Sequence, residues 1–303
     1  MKNSEESQSG EGRWGISPAG VLLRVRVAKS PLCLLVGGSA LFGALLAQGF
    51  FSGQSLLIGV AVFVLAAGAA SLNSLQEYQL DRQMVRTRLR PLPQGQLSLS
   101  QAFWQGMMLI LAGLIILWFN SEGPWAPLVA LFAVVLYNGV YTPLKTVTVL
   151  AIVPGAICGA LPPLIGWLGG GGAPFAFPAF LLMALLALWQ VPHFWLVLLR
   201  HRGDYRLLGL PSIVDQFGEA RVKALFFTWI AALSTIMLMF LFLLYSSAWS
   251  IRLGVVINAV GLLLIFGWQL RPGGRGDYRL LFIVLNLALI SHMILTGIGQ
   301  VYL

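Results

Sequence analysis

The chain has 303 residues, 58% of them hydrophobic and only 10% charged, with a formal net charge of +9. Soluble domains carry roughly 25% charged residues, so a soluble globular fold is excluded and an integral membrane protein is indicated. The positive charge does not point to nucleic acid, because the basic residues fall in short loops between apolar runs, where they report topology.

Residues 1–17 are polar, rich in Ser, Glu and Gly, and read as a disordered tail without a signal-peptide pattern. Residues 18–303 read as one all-α membrane domain. Nine apolar segments follow the tail, at 31–51, 55–77, 98–119, 125–143, 147–168, 174–199, 222–246, 249–270 and 279–301. Each is near the ~20 residues that a helix needs to span a bilayer. Of 19 basic residues, 18 lie in the tail or in the loops after segments two, four, six and eight, and Arg252 alone lies on the other side. The positive-inside rule then puts the N-terminus in the cytoplasm and the C-terminus outside. Glu77, Asp81, Asp204, Asp215, Glu219 and Asp277 share the cytoplasmic face, where the chemistry is expected.

The end of segment two reads Asn73-Ser-Leu-Gln-Glu77-Tyr-Gln-Leu-Asp81, followed by Arg82, Arg86, Arg88 and Arg90. Asn73, Glu77 and Asp81 are spaced i, i+4, i+8, which puts them on one helix face. Carboxylates ligate Mg²⁺ through oxygen, and that ion usually shares its shell with substrate phosphates. Arg and Lys bind phosphate oxygens directly. The end of segment six repeats the chemistry, with Pro192-His193-Phe-Trp195 running into Arg200-His-Arg202-Gly-Asp204. Pro192 removes a backbone donor and is expected to kink the helix near His193. An ionisable residue inside a span is functional by default, and His193 is so read. His201 reads as solvated and His292 as structural.

Segment four ends Tyr141-Thr-Pro-Leu-Lys145, with Pro143 expected to disturb the helix between the tyrosine and the lysine. Lys145 is the one basic residue of its loop and suits phosphate as a point charge. Cys33 and Cys158 lie in apolar runs without metal-ligand spacing and read as core residues. Arg202-Gly-Asp-Tyr-Arg-Leu-Leu recurs from Arg275, where Asp277 reads as the cap of the last segment.

With these residues in view, the sequence resembles the UbiA superfamily of membrane prenyltransferases, and within it the heme O synthase branch. Four stretches carry the resemblance: Asn73 to Pro91, Tyr141 to Lys145, Leu161 to Trp167, and Pro192 through Pro211. The resemblance implies nine helices around a central cavity open to the cytoplasmic side and to lipid. It implies Mg²⁺-dependent ionisation of farnesyl diphosphate and transfer of the farnesyl group to a vinyl group of heme B. Glu77, Asp81 and Asp204 would then hold Mg²⁺, with Asn73 orienting the shell and Tyr141 and Lys145 completing the catalytic set. Arg86, Arg90, Lys145 and Arg202 would bind diphosphate, and His193 and Trp195 would contact heme. The chain departs from the pattern twice, with Glu77 where the superfamily has Asp, and Gly203 where the heme branch commonly has a second acid beside Asp204. Transfer to an aromatic quinone precursor, and a non-catalytic heme-handling role, are the competing readings. The implied location is a bacterial-type inner membrane with the active face cytoplasmic, with lipid, heme-pathway or oxidase-assembly proteins as partners.

Overall fold

The computed structural model describes residues 17–244, 248–271 and 276–301, without the side chains of residues 204, 205, 214, 215, 219 and 301. The predicted tail, up to residue 16, and the side chain of Asp204 therefore lie outside the described residues. In chain order the helices are α1 (Pro18–Val27), α2 (Ser30–Gln48), α3 (Gly53–Gln76), α4 (Tyr78–Gln83), α5 (Leu99–Asn120) and α6 (Trp125–Val134). A π-helical turn (Val135–Tyr141) leads from α6 into α7 (Thr142–Leu144). Then come α8 (Ile152–Gly169), α9 (Phe177–Arg200), α10 (Arg202–Leu207), α11 (Ile213–Phe217), α12 (Glu219–Met239), α13 (Trp249–Leu270) and α14 (Tyr278–Val301). Among the described residues nine helical segments are long and apolar enough to cross a membrane: α2, α3, α5, the α6–α7 run, α8, α9, α12, α13 and α14. These match the nine predicted segments.

Local chemistry sets the ends of these spans. Ser52 and Ser55 form a reciprocal capping box at the start of α3, and Ser98 and Gln101 do the same for α5, satisfying donors that no helical carbonyl can reach. Gly49, at φ 76°, ends α2 three residues before the predicted boundary, because the left-handed conformation stops the helix. Asp277 Oδ1 accepts from the backbone N–H groups of Arg279 and Leu280, each at 3.0 Å, as its predicted capping role requires. The helix α9 continues through Pro192 to Arg200 without a break in its assignment.

The spans pack by close backbone approach, as membrane helices do when no hydrophobic force separates protein from lipid. At the α2–α8 crossing, a Cβ on Gly166 would overlap the carbonyl oxygen of Ala40, and one on Gly43 would overlap that of Pro163. Both obstacles are backbone and cannot rotate away. Gly166→Val is therefore expected to cost about 1–3 kcal/mol or more through overpacking, read as a lower melting temperature in detergent. The outward faces are as apolar as the core: Phe103, Trp104 and Trp118 on α5, and Ile257, Leu264 and Trp268 on α13, are all exposed. Six spans (α2, α3, the α6–α7 run, α8, α9 and α14) enclose a cavity of about 700 Å³, while α5, α12 and α13 stand outside it.

Candidate active site

The polar stripe forms where the sequence places it. The helix α3 ends at Gln76 and α4 starts at Tyr78, yet the bonds from Glu77 N to Asn73 O (3.0 Å) and from Asp81 N to Glu77 O (2.8 Å) carry the register across the junction. Asn73, Glu77 and Asp81 are all buried. Burial of three polar side chains is costly unless each is partnered, and each of them is. Asn73 donates to Thr142 Oγ1 at 3.0 Å and accepts from Lys29 Nζ at 2.5 Å. Glu77 is ion-paired with Lys145, and Lys29 Nζ lies 4.0 Å from its other oxygen. Asp81 accepts from Arg90 Nη1 at 2.9 Å.

Lys29 is the residue that sequence reasoning missed, having counted it only as a topology marker. It stands between α1 and α2 at φ 51°, the one non-glycine residue with positive φ among the described residues. That strained conformation is uncommon outside functional or tightly packed positions. It turns the side chain into the stripe. Burial lowers the Lys29 ammonium to about 8, with Glu77 and Asp81 pulling it up and Arg90 and Lys145 pushing it further down. All four of these groups therefore lie within electrostatic reach of Lys29. The available signal was its position, a lone lysine directly before Ser30-Pro31 and a long apolar run.

Lys145 arrives on the far side of the stripe by way of the π-helical turn. The extra residue in that turn shifts the register ahead of Pro143, which has no N–H to give. Thr142 Oγ1 donates to Tyr137 O at 2.8 Å and helps to hold the distorted turn. The bond from Lys145 N to Tyr141 O, 3.0 Å, remains, so the expected disturbance lies before the proline and not between Tyr141 and Lys145. Tyr141 stacks on Tyr137 with centroids 5.6 Å apart, meets Phe194 at 5.7 Å, and has the Lys145 ammonium 5.5 Å from its own centroid. Gly155 leaves the room for this, since a Cβ there would press on both the Tyr141 and Phe194 rings.

Tyr141, with the Lys145 ammonium beside its ring, is also part of the cavity wall, so the cluster adjoins the cavity through this residue. The cavity lining is almost wholly apolar, with few polar side chains, notably Gln190, His193 and Asn286. Cys33 and Cys158 also line it as free thiols. His193 sits among rings, 4.4 Å from Trp189 and 4.9 Å from Phe282 by centroid. Trp195 is elsewhere. It is buried against Phe226 and Trp229 of α12, because residues 193 and 195 lie about 200° apart on a helix, and it does not line the cavity. Arg86 is exposed in the segment after α4, and half-buried Arg202 opens α10. His292 is fully buried edge-on to Phe240, as its structural reading requires.

The donor set suits a hard divalent cation. Its ligating atoms are carboxylate oxygens, and Mg²⁺ is typically held by one or two carboxylates together with substrate phosphates. Among the described residues no group of three or more His, Cys, Asp or Glu side chains gathers. Among the described residues, Glu77 and Asp81 are the two carboxylates of the stripe, each paired with a cation.

Comparison with known proteins agrees with this architecture. The UbiA prenyltransferase family matches residues 36–288. A protoheme IX farnesyltransferase of Geobacter sulfurreducens is 42% identical over 219 residues, covering 72% of this chain and 78% of that protein. One from Oleidesulfovibrio alaskensis is 34% identical over 284 residues, covering 92% and 98%. Among solved structures, a digeranylgeranylglyceryl phosphate synthase superposes with a TM-score of 0.76 at 16% identity, covering 93% of this chain and 99% of that one. A UbiA homolog from Archaeoglobus fulgidus bound to GPP and Mg²⁺ superposes with a TM-score of 0.62, also at 16% identity, covering 90% and 99%. A family match across most of the chain, relatives of this identity and a shared nine-span fold lead to one conclusion: the chain belongs to the UbiA prenyltransferase family.

Proposed function

We propose that this protein transfers the farnesyl group of farnesyl diphosphate to a vinyl group of heme B, making heme O. The observation that carries the reading is the charged cluster of Glu77, Asp81, Lys29, Lys145 and Arg90 set over an apolar cavity whose wall holds His193 among aromatic rings. The names of the similar proteins support it.

In this reading Glu77, Asp81 and Asp204 hold Mg²⁺, which supplies Lewis acidity toward the leaving diphosphate. Lys29, Lys145, Arg90, Arg86 and Arg202 offer cations to the phosphate oxygens. Preorganised positive charge of this kind stabilises the negative charge that grows as the C–O bond breaks. Lys145 and Arg90 are at present satisfied by Glu77 and Asp81, so diphosphate binding exchanges one set of anions for another. Asn73, fixed from both sides by Lys29 and Thr142, orients this shell. The cavity takes the prenyl tail and excludes water from the allylic cation. The face of Tyr141 is available to stabilise that cation.

His193 contacts the porphyrin in this reading, whereas Trp195, behind the wall, supports α9. Transfer to a quinone precursor is the weaker reading, because an acceptor of that kind has no need of a histidine inside the span. We further propose that residues 18–303 act as one domain, that the N-terminus and the charged face are cytoplasmic, and that the membrane is the bacterial inner membrane.

Purified protein incubated with heme B, farnesyl diphosphate and Mg²⁺ is expected to yield heme O by mass spectrometry, and chelation of the metal is expected to stop it. Prenylation of an aromatic acid with no change in heme would overturn the heme reading.

A further inference from the structure

The π-helical turn of the α6–α7 run leaves one carbonyl without its regular donor. In a π turn each N–H bonds to the carbonyl five residues back. Thr142 N–H does so, to Tyr137 O. Next in line is Pro143, which has no N–H, so the donor that Asn138 O would take in this register is missing. Gln76, the last residue of α3, fills the gap, its Nε2 donating to Asn138 O at 2.8 Å. The Asn138 side chain answers across the same junction. Its Nδ2 donates to Gln76 Oε1 at 3.1 Å and to Ala69 O of α3 at 3.0 Å.

We propose that Gln76 and Asn138 are positioning residues: their interlock selects the π register of this run and thereby aims Tyr141 and Lys145 at the stripe on α3. The selection follows from which carbonyl the proline orphans. In the π register it is Asn138 O; in an ordinary α register it would be Gly139 O, four residues back. Gln76 serves the first. Water would serve either carbonyl equally and so selects neither register. An α register would turn everything after the distortion by about 100° around the helix axis. Lys145 would then leave Glu77, its ion-pair partner, and the Tyr141 ring would leave the cavity wall.

The inference rests on the reading above, in which Lys145 meets the diphosphate. Gln76 and Glu77 are adjacent in the chain, so the end of α3 grips the α6–α7 run twice, by the Asn138 carbonyl and by the Lys145 ammonium. Thr142 adds a further tie. It accepts from Asn73 Nδ2 at 3.0 Å while its hydroxyl donates to Tyr137 O at 2.8 Å. Asn138 and Thr142 are buried, whereas Gln76 is exposed. Gln76 is therefore the better probe, because changing an exposed side chain disturbs packing least.

The test uses the full-length purified protein and two readouts. The first needs no substrate: the reactivity of the Lys145 amine toward an acylating reagent, read by peptide mass spectrometry. In Gln76→Leu the amine loses Glu77, and its reactivity is expected to rise severalfold. The second is calorimetric affinity for farnesyl diphosphate with Mg²⁺, on Gln76→Leu, Lys145→Met and the double variant. Gln76→Leu is expected to weaken binding roughly tenfold, as Lys145→Met does, and the double variant no further, because two changes acting through one contact do not add. A merely structural role would add its loss to that of Lys145→Met. Asn138→Leu repeats both readouts at the other half of the interlock; if it does not fold, Gln76→Leu decides alone. Unchanged Lys145 reactivity in folded Gln76→Leu, or additive losses in the double variant, would overturn the proposal. So would a Gln76→Leu protein that does not fold, which would make the residue structural. Wild-type protein that binds no farnesyl diphosphate, or Lys145→Met that binds as well as wild type, would overturn the reading of the site instead, and the reactivity readout then decides the interlock.

Discussion

Asp81→Asn is expected to lower farnesyl transfer by roughly a hundred- to a thousandfold, the usual scale for removing one preorganised electrostatic element from an active site. The substitution preserves volume but removes the charge, at a side chain that is only 4% exposed and bonded to Arg90 at 2.9 Å. Arg90 keeps partial access to solvent, so its loss of a partner should leave the fold standing. Turnover and thermal melting measured on the same preparation separate the two effects. Turnover within tenfold of wild type would remove Asp81 from the metal site. Glu77→Asp is the informative companion. Shortening the acid by one methylene draws it back from Lys145 but restores the family's residue, so activity is expected to persist or rise. Loss of activity would mean that the site is built around the longer reach of Glu77.

Lys145→Met is expected to weaken binding of farnesyl diphosphate at least tenfold, about 1.4 kcal/mol. Lys145 is the closest cation to Glu77 and lies beside Tyr141, whose ring is part of the cavity wall. The variant also leaves a buried carboxylate with only Lys29, 4.0 Å away, to balance it. A buried acceptor that loses its donor costs about 1–3 kcal/mol, and more when charged, so a lower melting temperature should accompany the weaker binding. Titration of diphosphate by calorimetry checks the first effect. If affinity is unchanged while stability falls, Lys145 serves the fold and Lys29 carries the phosphate contact.

Much of this was legible in the linear chain. Nine spans follow from apolar run length, because the bilayer sets one length for every crossing. The stripe of Asn73, Glu77 and Asp81 follows from helical period, because backbone bonds carry that period across the α3–α4 junction. The pairing of Tyr141 with Lys145 is local for the same reason. Lys29 and Trp195 needed the tertiary structure. A lysine at a helix start serves topology and catalysis with identical sequence, and only the left-handed turn at residue 29 directs this one to Asn73, 44 positions away. An aromatic residue two positions after His193 looks like part of the same motif, but two residues on a helix point to different faces. Which face meets the cavity and which meets α12 was settled by the packing of the other helices.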